Sequence, residues 1–210
     1  MNFKINFKTK KMKDNFIKAL IDQKESRTGT KINIHFPLRG DISNYCIELN
    51  REIQRLTKSS IDFSPKSFQI PHLTLYSGFV TNENNFNSIL NEIYELAQEM
   101  NPIEITPTRP ILVKPKKNYI FIHTDQSNQI NELKRDLKDR ISKWIQPLGW
   151  DIISEAPHIS IAYINNNYEE IEEFLEEYHI GSNWYGDSIE VSYSGPWGSC
   201  LGSIRAFEFP

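Results

Sequence analysis

The chain has 210 residues, 39% of them hydrophobic and 24% charged, with 9 glycines and 11 prolines. That composition belongs to one large globular domain or two fused lobes and excludes collagen-like and disordered classes. A net charge of −3 and a pI near 6.0 exclude a protein that holds duplex DNA or RNA mainly by neutralising phosphates, and leave small or short anionic ligands open.

Cys46 and Cys200 are far apart and lack C-x-x-C spacing, so they are expected as free thiols rather than a disulfide or a thiolate zinc site. No run approaches the roughly 18 apolar residues of a membrane span, and the lysine-rich start has no apolar signal stretch behind it. A cytoplasmic location without membrane contact is expected.

Residues 1–30 interleave Lys4, Lys8, Lys10, Lys11, Lys13 and Lys18 with Phe3, Ile5, Phe7, Phe16, Ile17, Leu20 and Ile21. They read as a basic arm or strand and a short helix, an appendage to the domain. From Lys31, Ile32, Ile34, Phe36 and Leu38 alternate with Asn33, His35, Pro37 and Arg39, the period of a half-buried strand. Residues 41–58 follow as a helix with Ile42, Cys46, Leu49, Ile53 and Leu56 at helical spacing behind an Asp41 cap. Residues 68–80 form a second strand, and 82–100 a second helix with Phe86, Ile89, Leu90, Ile93 and Ala97 on one face.

The proline-broken stretch 102–115 reads as two short strands or a hairpin. Then the pattern repeats: strand 118–124, helix 127–146 carrying Ile130, Leu133, Leu137, Ile141 and Trp144, strand 157–164, and helix 168–178. Residues 188–194 and 203–209 are strands joined by the glycine-spaced loop 195–202, a hairpin turn that carries Trp197 at its tip.

Sliding the chain on itself by 86 positions sets Ile34 on Ile120, Phe36 on Ile122 and Pro71-His72-Leu73-Thr74-Leu75 on Pro157-His158-Ile159-Ser160-Ile161 without a gap. Two such four-element units, about 31–100 and 117–180, are each too small to close a core alone. The expectation is one α+β domain over 31–210, bilobal, with two pseudo-two-fold-related lobes, each an antiparallel sheet with flanking helices, and a central cleft on the axis.

Both units carry Pro-His-apolar-[Ser/Thr]-apolar. Residues two apart on a strand share a face, so His72, Thr74 and Tyr76 are expected to point into the cleft, with His158 and Ser160 facing them. A pair of imidazoles flanked by hydroxyls suits phosphoryl transfer without metal: one takes a proton from the attacking oxygen, the other gives one to the leaving oxygen, and the hydroxyls hold the phosphate oxygens. The same parity places Asn33, His35, Tyr119, Phe121 and His123 on the cleft side of the first strands. There Tyr119 and Phe121 are candidates to stack a base, and Trp197 to cover one. His123-Thr124-Asp125 has no partner cluster, so no metal or cofactor is expected.

The paired motifs and their place on the second strand of each unit resemble the 2H phosphoesterase superfamily, also called LigT-like, defined by two His-x-[Thr/Ser]-x motifs; the likeness covers residues from 31 onward. It implies His72 and His158 as acid/base pair and Thr74 and Ser160 as phosphate clamps. It also implies metal-independent cleavage or formation of 2′ phosphodiester or cyclic phosphate bonds. The expected activity is hydrolysis of a nucleotide-sized substrate by a monomer: a 2′,3′-cyclic phosphate, a 2′-5′ oligonucleotide, a cyclic oligonucleotide or short RNA. The alternatives are a nucleotide- or RNA-end-binding module without turnover, and an RNA end-processing or 2′-5′ ligating enzyme.

Overall fold

The computed structural model describes residues 29–113, 118–125, 127–148, 156–180 and 183–210. Most of the expected N-terminal arm lies outside the described residues. The elements run β1 (Thr30–Pro37), α1 (Gly40–Leu56), β2 (Gln69–Ile70), β3 (His72–Val80), α2 (Glu83–Glu99), β4 (Ile103–Ile105), β5 (Pro107–Leu112), β6 (Tyr119–Thr124), α3 (Ser127–Ile141) and β7 (Gln146–Pro147). They continue with β8 (His158–Tyr163), α4 (Tyr168–Glu176), β9 (Trp184–Gly186), β10 (Ser188–Ser194), a 3-10 turn (Pro196–Gly198) and β11 (Cys200–Glu208). The fold is α+β with antiparallel strand pairing throughout.

The helices form where apolar residues recur at helical spacing. Ile42, Cys46, Leu49 and Ile53 of α1 are buried, each aliphatic side chain contributing about 1.5–3 kcal/mol by leaving water. The expected Asp41 cap is not seen: Arg39 occupies the cap position without a side-chain hydrogen bond, and Asp41 lies in the first turn, where its charge still favours the helix dipole. Asn82 caps α2 by accepting from the Asn85 amide at 2.8 Å.

The strands differ from the expectation of two separately sheeted lobes. One nine-stranded sheet runs β2-β11-β10-β1-β3-β8-β6-β5, with β7 added on β3, and β4-β9 form a separate two-stranded sheet. β8 meets β3 at Leu73 opposite Ile159, and β7 covers Gly78 and Phe79 further along β3, so the β3 edge away from β1 is shared between β8 and β7. The stretch 102–115 holds two strands, not a hairpin: β4 pairs β9 and β5 pairs β6. Gly78 makes room for β7, because a Cβ there would stand 2.6 Å from the Gln146 carbonyl oxygen.

The two strand pairs match in register at the offset of 86. Ile34 faces Tyr76, His35 faces Thr74 and Phe36 faces Leu73 in one; Ile120 faces Ala162, Phe121 faces Ser160 and Ile122 faces Ile159 in the other. Each pair has its irregularity at the same step, leaving Leu75 and Ile161 as the extra residues. The helices cross the seam: α1 packs on β8 and α3 on β3, so the halves share one core. Among the described residues no helix is long and apolar enough to cross a membrane.

Candidate active site

The seam places the two motifs side by side. Leu73 and Ile159 are opposite each other and fully buried toward the helices. Extending this register one residue either way sets His72 opposite Ser160 and Thr74 opposite His158, all on the face away from the core. The two histidines then occupy diagonal corners, about 7–8 Å apart by strand geometry, with a hydroxyl at each remaining corner.

Both imidazoles are oriented in the same way. His72 Nδ1 lies 2.8 Å from the Ile70 carbonyl oxygen and His158 Nδ1 lies 2.9 Å from that of Ala156. A carbonyl only accepts, so Nδ1–H donates in each. Burial lowers the His72 pKa, opposed by hydrogen bonding to the Ile70 and Gly198 carbonyls. Asn33 Nδ2 donates to Thr74 Oγ1 at 3.1 Å, which leaves the Thr74 hydroxyl proton for an acceptor in the site.

The first-strand residues lie on the expected face but differ in exposure. His35 is 0% exposed. Its ring centroid is 5.0 Å from that of His72 at 62°, and it sits behind that catalytic candidate rather than open to a ligand. Its Nδ1 is 3.5 Å from Cys200 Sγ and its Nε2 3.8 Å from Glu190 Oε1. Burial first, then the neighbouring His72, holds the His35 pKa well below 6.5. Burial likewise pushes up the pKa of the Cys200 thiol and of the Glu190 carboxyl. Both cysteines are free and buried.

Phe121 stacks on His158 at 3.9 Å and 23° and on Tyr119 at 5.2 Å and 30°. Phe121 is buried between these neighbours and the core and is not open to a base. His123 stands opposite His158 with rings 6.0 Å apart, and burial lowers its pKa. Tyr76 corrects the expectation. The extra residue Leu75 turns it to the side of Ile34, where it joins the hydrophobic core, while Ser77 takes the place opposite Asn33 and donates to the Ile32 carbonyl.

The same irregularity in β8 brings out a residue that parity from His158 and Ser160 would hide. Tyr163 pairs with Tyr119, and its ring stacks on Trp197 at 4.2 Å and 19°. Trp197 is 43% exposed and has a left-handed backbone, φ 59° and ψ 23°. The turn thus touches both units, with Gly198 at His72 in one half and Trp197 on Tyr163 in the other. Among the described residues no three His, Cys, Asp or Glu side chains converge as a metal site would require.

The sequence pattern of the 2′-5′ RNA ligase superfamily matches residues 47–192, more than half of the chain. No curated protein matches it. Among solved structures, TT0787 of Thermus thermophilus is similar over 85% of this chain and 97% of its own, with 15% identity and a TM-score of 0.62. Escherichia coli LigT complexed with 3′-AMP is similar over 87% and 99%, with 10% identity and a TM-score of 0.53. Usb1 of Kluyveromyces marxianus is similar over 85% and 99%, with 7% identity and a TM-score of 0.54. At these identities the likeness to solved structures is one of fold.

Proposed function

The chain belongs to the 2′-5′ RNA ligase superfamily, the 2H phosphoesterases, and from that premise we propose that it is a metal-independent phosphodiesterase acting on a nucleotide-sized substrate. The observation that carries this reading is the seam. Two His-x-[Thr/Ser] strands join at Leu73 and Ile159, a register that brings two imidazoles, each held through Nδ1 at a backbone carbonyl, and two hydroxyls to one face of the sheet.

Hydrolysis of a phosphodiester needs a proton removed from water, a proton supplied to the leaving oxygen, and donors for the non-bridging oxygens as charge gathers on them. His72 and His158 supply the first two, Thr74 and Ser160 the third. No Lewis acid is required by that division of work. The exposed indole of Trp197, braced on Tyr163, offers a surface for a base, and stacking of that kind contributes about 1–3 kcal/mol. LigT, crystallised with 3′-AMP, is a precedent on the same fold for binding a nucleotide.

The test is a mass-spectrometric hydrolysis screen in EDTA with 2′,3′-cyclic nucleotides, 2′-5′ and 3′-5′ oligoadenylates and cyclic dinucleotides, run beside a His72→Ala/His158→Ala variant. Turnover by the wild type and none by the variant is the expected result. Tight nucleotide binding without turnover would replace the reading with that of a binding module, and joining of RNA ends without net hydrolysis would replace it with a ligase.

A further inference from the structure

The two units are alike in register, yet they hold the carbonyl that orients each motif histidine by different means. At the offset of 86, Ile70 matches Ala156, Pro71 matches Pro157 and Pro37 matches His123. In the first unit the accepting carbonyl belongs to Ile70, which lies in β2 and pairs with Cys200 of β11. In the second it belongs to Ala156, which lies outside the strands. Sheet pairing fixes the peptide in the first unit, and the second needs another device.

We propose that His123 is a positioning residue for His158: its side-chain N–H holds the Pro157 carbonyl and thereby fixes the Ala156 carbonyl to which His158 Nδ1 donates. The inference rests on the phosphodiesterase reading above for its kinetic consequence, and it adds a residue outside the two paired motifs.

Peptide planes are rigid, so only φ and ψ of Pro157 separate the Ala156 carbonyl from the backbone of His158. The pyrrolidine ring locks the first at about −65°. The second turns the Pro157 carbonyl, and that oxygen is the one His123 hydrogen-bonds. With both torsions fixed, the Ala156 oxygen stays where His158 Nδ1 meets it at 2.9 Å.

Strand β6 places His123 for this work. It stands directly opposite His158 in the antiparallel register, with the rings 6.0 Å apart at 67°. Phe121, two residues back on the same face, packs edge-on against its ring at 6.1 Å and 90°. Its Nδ1 is buried with no hydrogen-bond partner. A proton there would go unsatisfied, so the neutral ring carries its proton on Nε2, the nitrogen left to donate to the carbonyl. Burial favours that neutral form. In the first unit Pro37 faces His72 instead. A proline side chain has no N–H to give, and the pairing of β2 makes one unnecessary.

The test separates the N–H from the bulk of the ring. His123→Phe keeps an aromatic ring against Phe121 and removes the donor. His123→Gln removes the ring and keeps an N–H at the reach of Nε2; His123→Ala removes both. Steady-state kinetics use the substrate that the screen turns over fastest. The tautomer of His158 is read by nitrogen-15 NMR at about pH 8, where imidazole is neutral, and folding by circular dichroism.

His123→Phe and His123→Ala should lower kcat by about 10- to 100-fold with KM within about 3-fold of the wild type, the scale of a displaced catalytic group. His123→Gln should recover most of that loss. The His158 proton should sit on Nδ1 in the wild type and in His123→Gln. In His123→Phe it should shift toward Nε2, a change that lost packing alone would not produce. Should the alanine variant fail to fold, the phenylalanine and glutamine variants decide alone.

Wild-type kcat and tautomer in His123→Phe, a fall in His123→Gln as deep as in His123→Phe, or an effect confined to KM would overturn the assignment. A wild type inactive on every substrate, with the Nδ1 proton of His158 still lost in His123→Phe, would overturn the phosphodiesterase reading and leave the positioning role standing.

Discussion

Asn50 is the polar residue whose removal should cost most for the least change in volume. It lies on the buried face of α1 and is 1% exposed. Its Nδ2 donates to the carbonyls of Ile161 at 2.8 Å and Ile61 at 3.0 Å, and its Oδ1 accepts from the Phe63 amide at 3.1 Å and from Gln54 Nε2 at 2.9 Å. Ile61 has a second donor in Ser59 Oγ at 2.8 Å. Ile161 is the extra residue of β8, without a register partner on β6, so Asn50 braces the irregularity that follows Ser160. Asn50→Ala deprives two buried backbone groups, the Ile161 carbonyl and the Phe63 amide, at about 1–3 kcal/mol each. Allowing for water entering the small void, the loss should be about 3 kcal/mol.

Equilibrium urea unfolding measures this directly, and the corresponding fall in Tm for a chain of this size is about 6–12 °C. Asn50→Asp keeps the acceptor for Phe63 but turns a carboxylate oxygen toward two carbonyls. It should cost at least as much at neutral pH, and less as the pH falls and the acid gains a proton to donate. A loss below about 1 kcal/mol for Asn50→Ala, or an Asn50→Asp variant as stable as the wild type at pH 7, would refute the bracing role.

Three further outcomes follow from the same geometry. His35, His72 and His123 have pKa values lowered by burial. Their contribution is fully present above the unfolded value near 6.5 and is lost as the pH falls below it, at up to about 1.4 kcal/mol per unit for each; the raised pKa of Glu190 offsets part of this at lower pH. Urea unfolding between pH 8 and 5 should show the decline, and a flat profile would contradict it. Thr74→Ala and Ser160→Ala should each lower kcat by about 10²–10³ at most if they hold phosphate oxygens rather than move protons, as steady-state kinetics would show. Trp197→Ala should raise KM by about 10- to 100-fold with kcat nearly kept, because stacking binds substrate and transition state alike; a fall confined to kcat would remove Trp197 from base binding.

What the sequence makes legible is what depends on local period. The alternation in Ile32, Ile34 and Phe36, the helical stripe through Cys46, Leu49 and Ile53, and the repeated Pro-His-x-[Thr/Ser] segments each report a face without knowledge of partners. The extra residues Leu75 and Ile161 are not legible, since an irregularity exists only relative to the strand opposite. That one device accounts for both Tyr76 turning into the core and Tyr163 turning out to meet Trp197. The seal around His35 is equally hidden, because Glu190 and Cys200 come from β10 and β11 at the far end of the chain. Asn50 left a trace, a polar residue in an apolar stripe, but its partner on β8, Ile161, lies more than a hundred residues away.

The central claim is that two histidines from the two halves act as one catalytic unit on a phosphodiester. It is tested most directly by kcat/KM for the wild type, His72→Ala, His158→Ala and the double variant on one substrate, with folding verified by circular dichroism. Groups that act as a unit lose activity non-additively. Each single variant should fall by about 10²–10⁴, and the double should fall little further than the worse of the two. Full activity in either single variant would contradict the account.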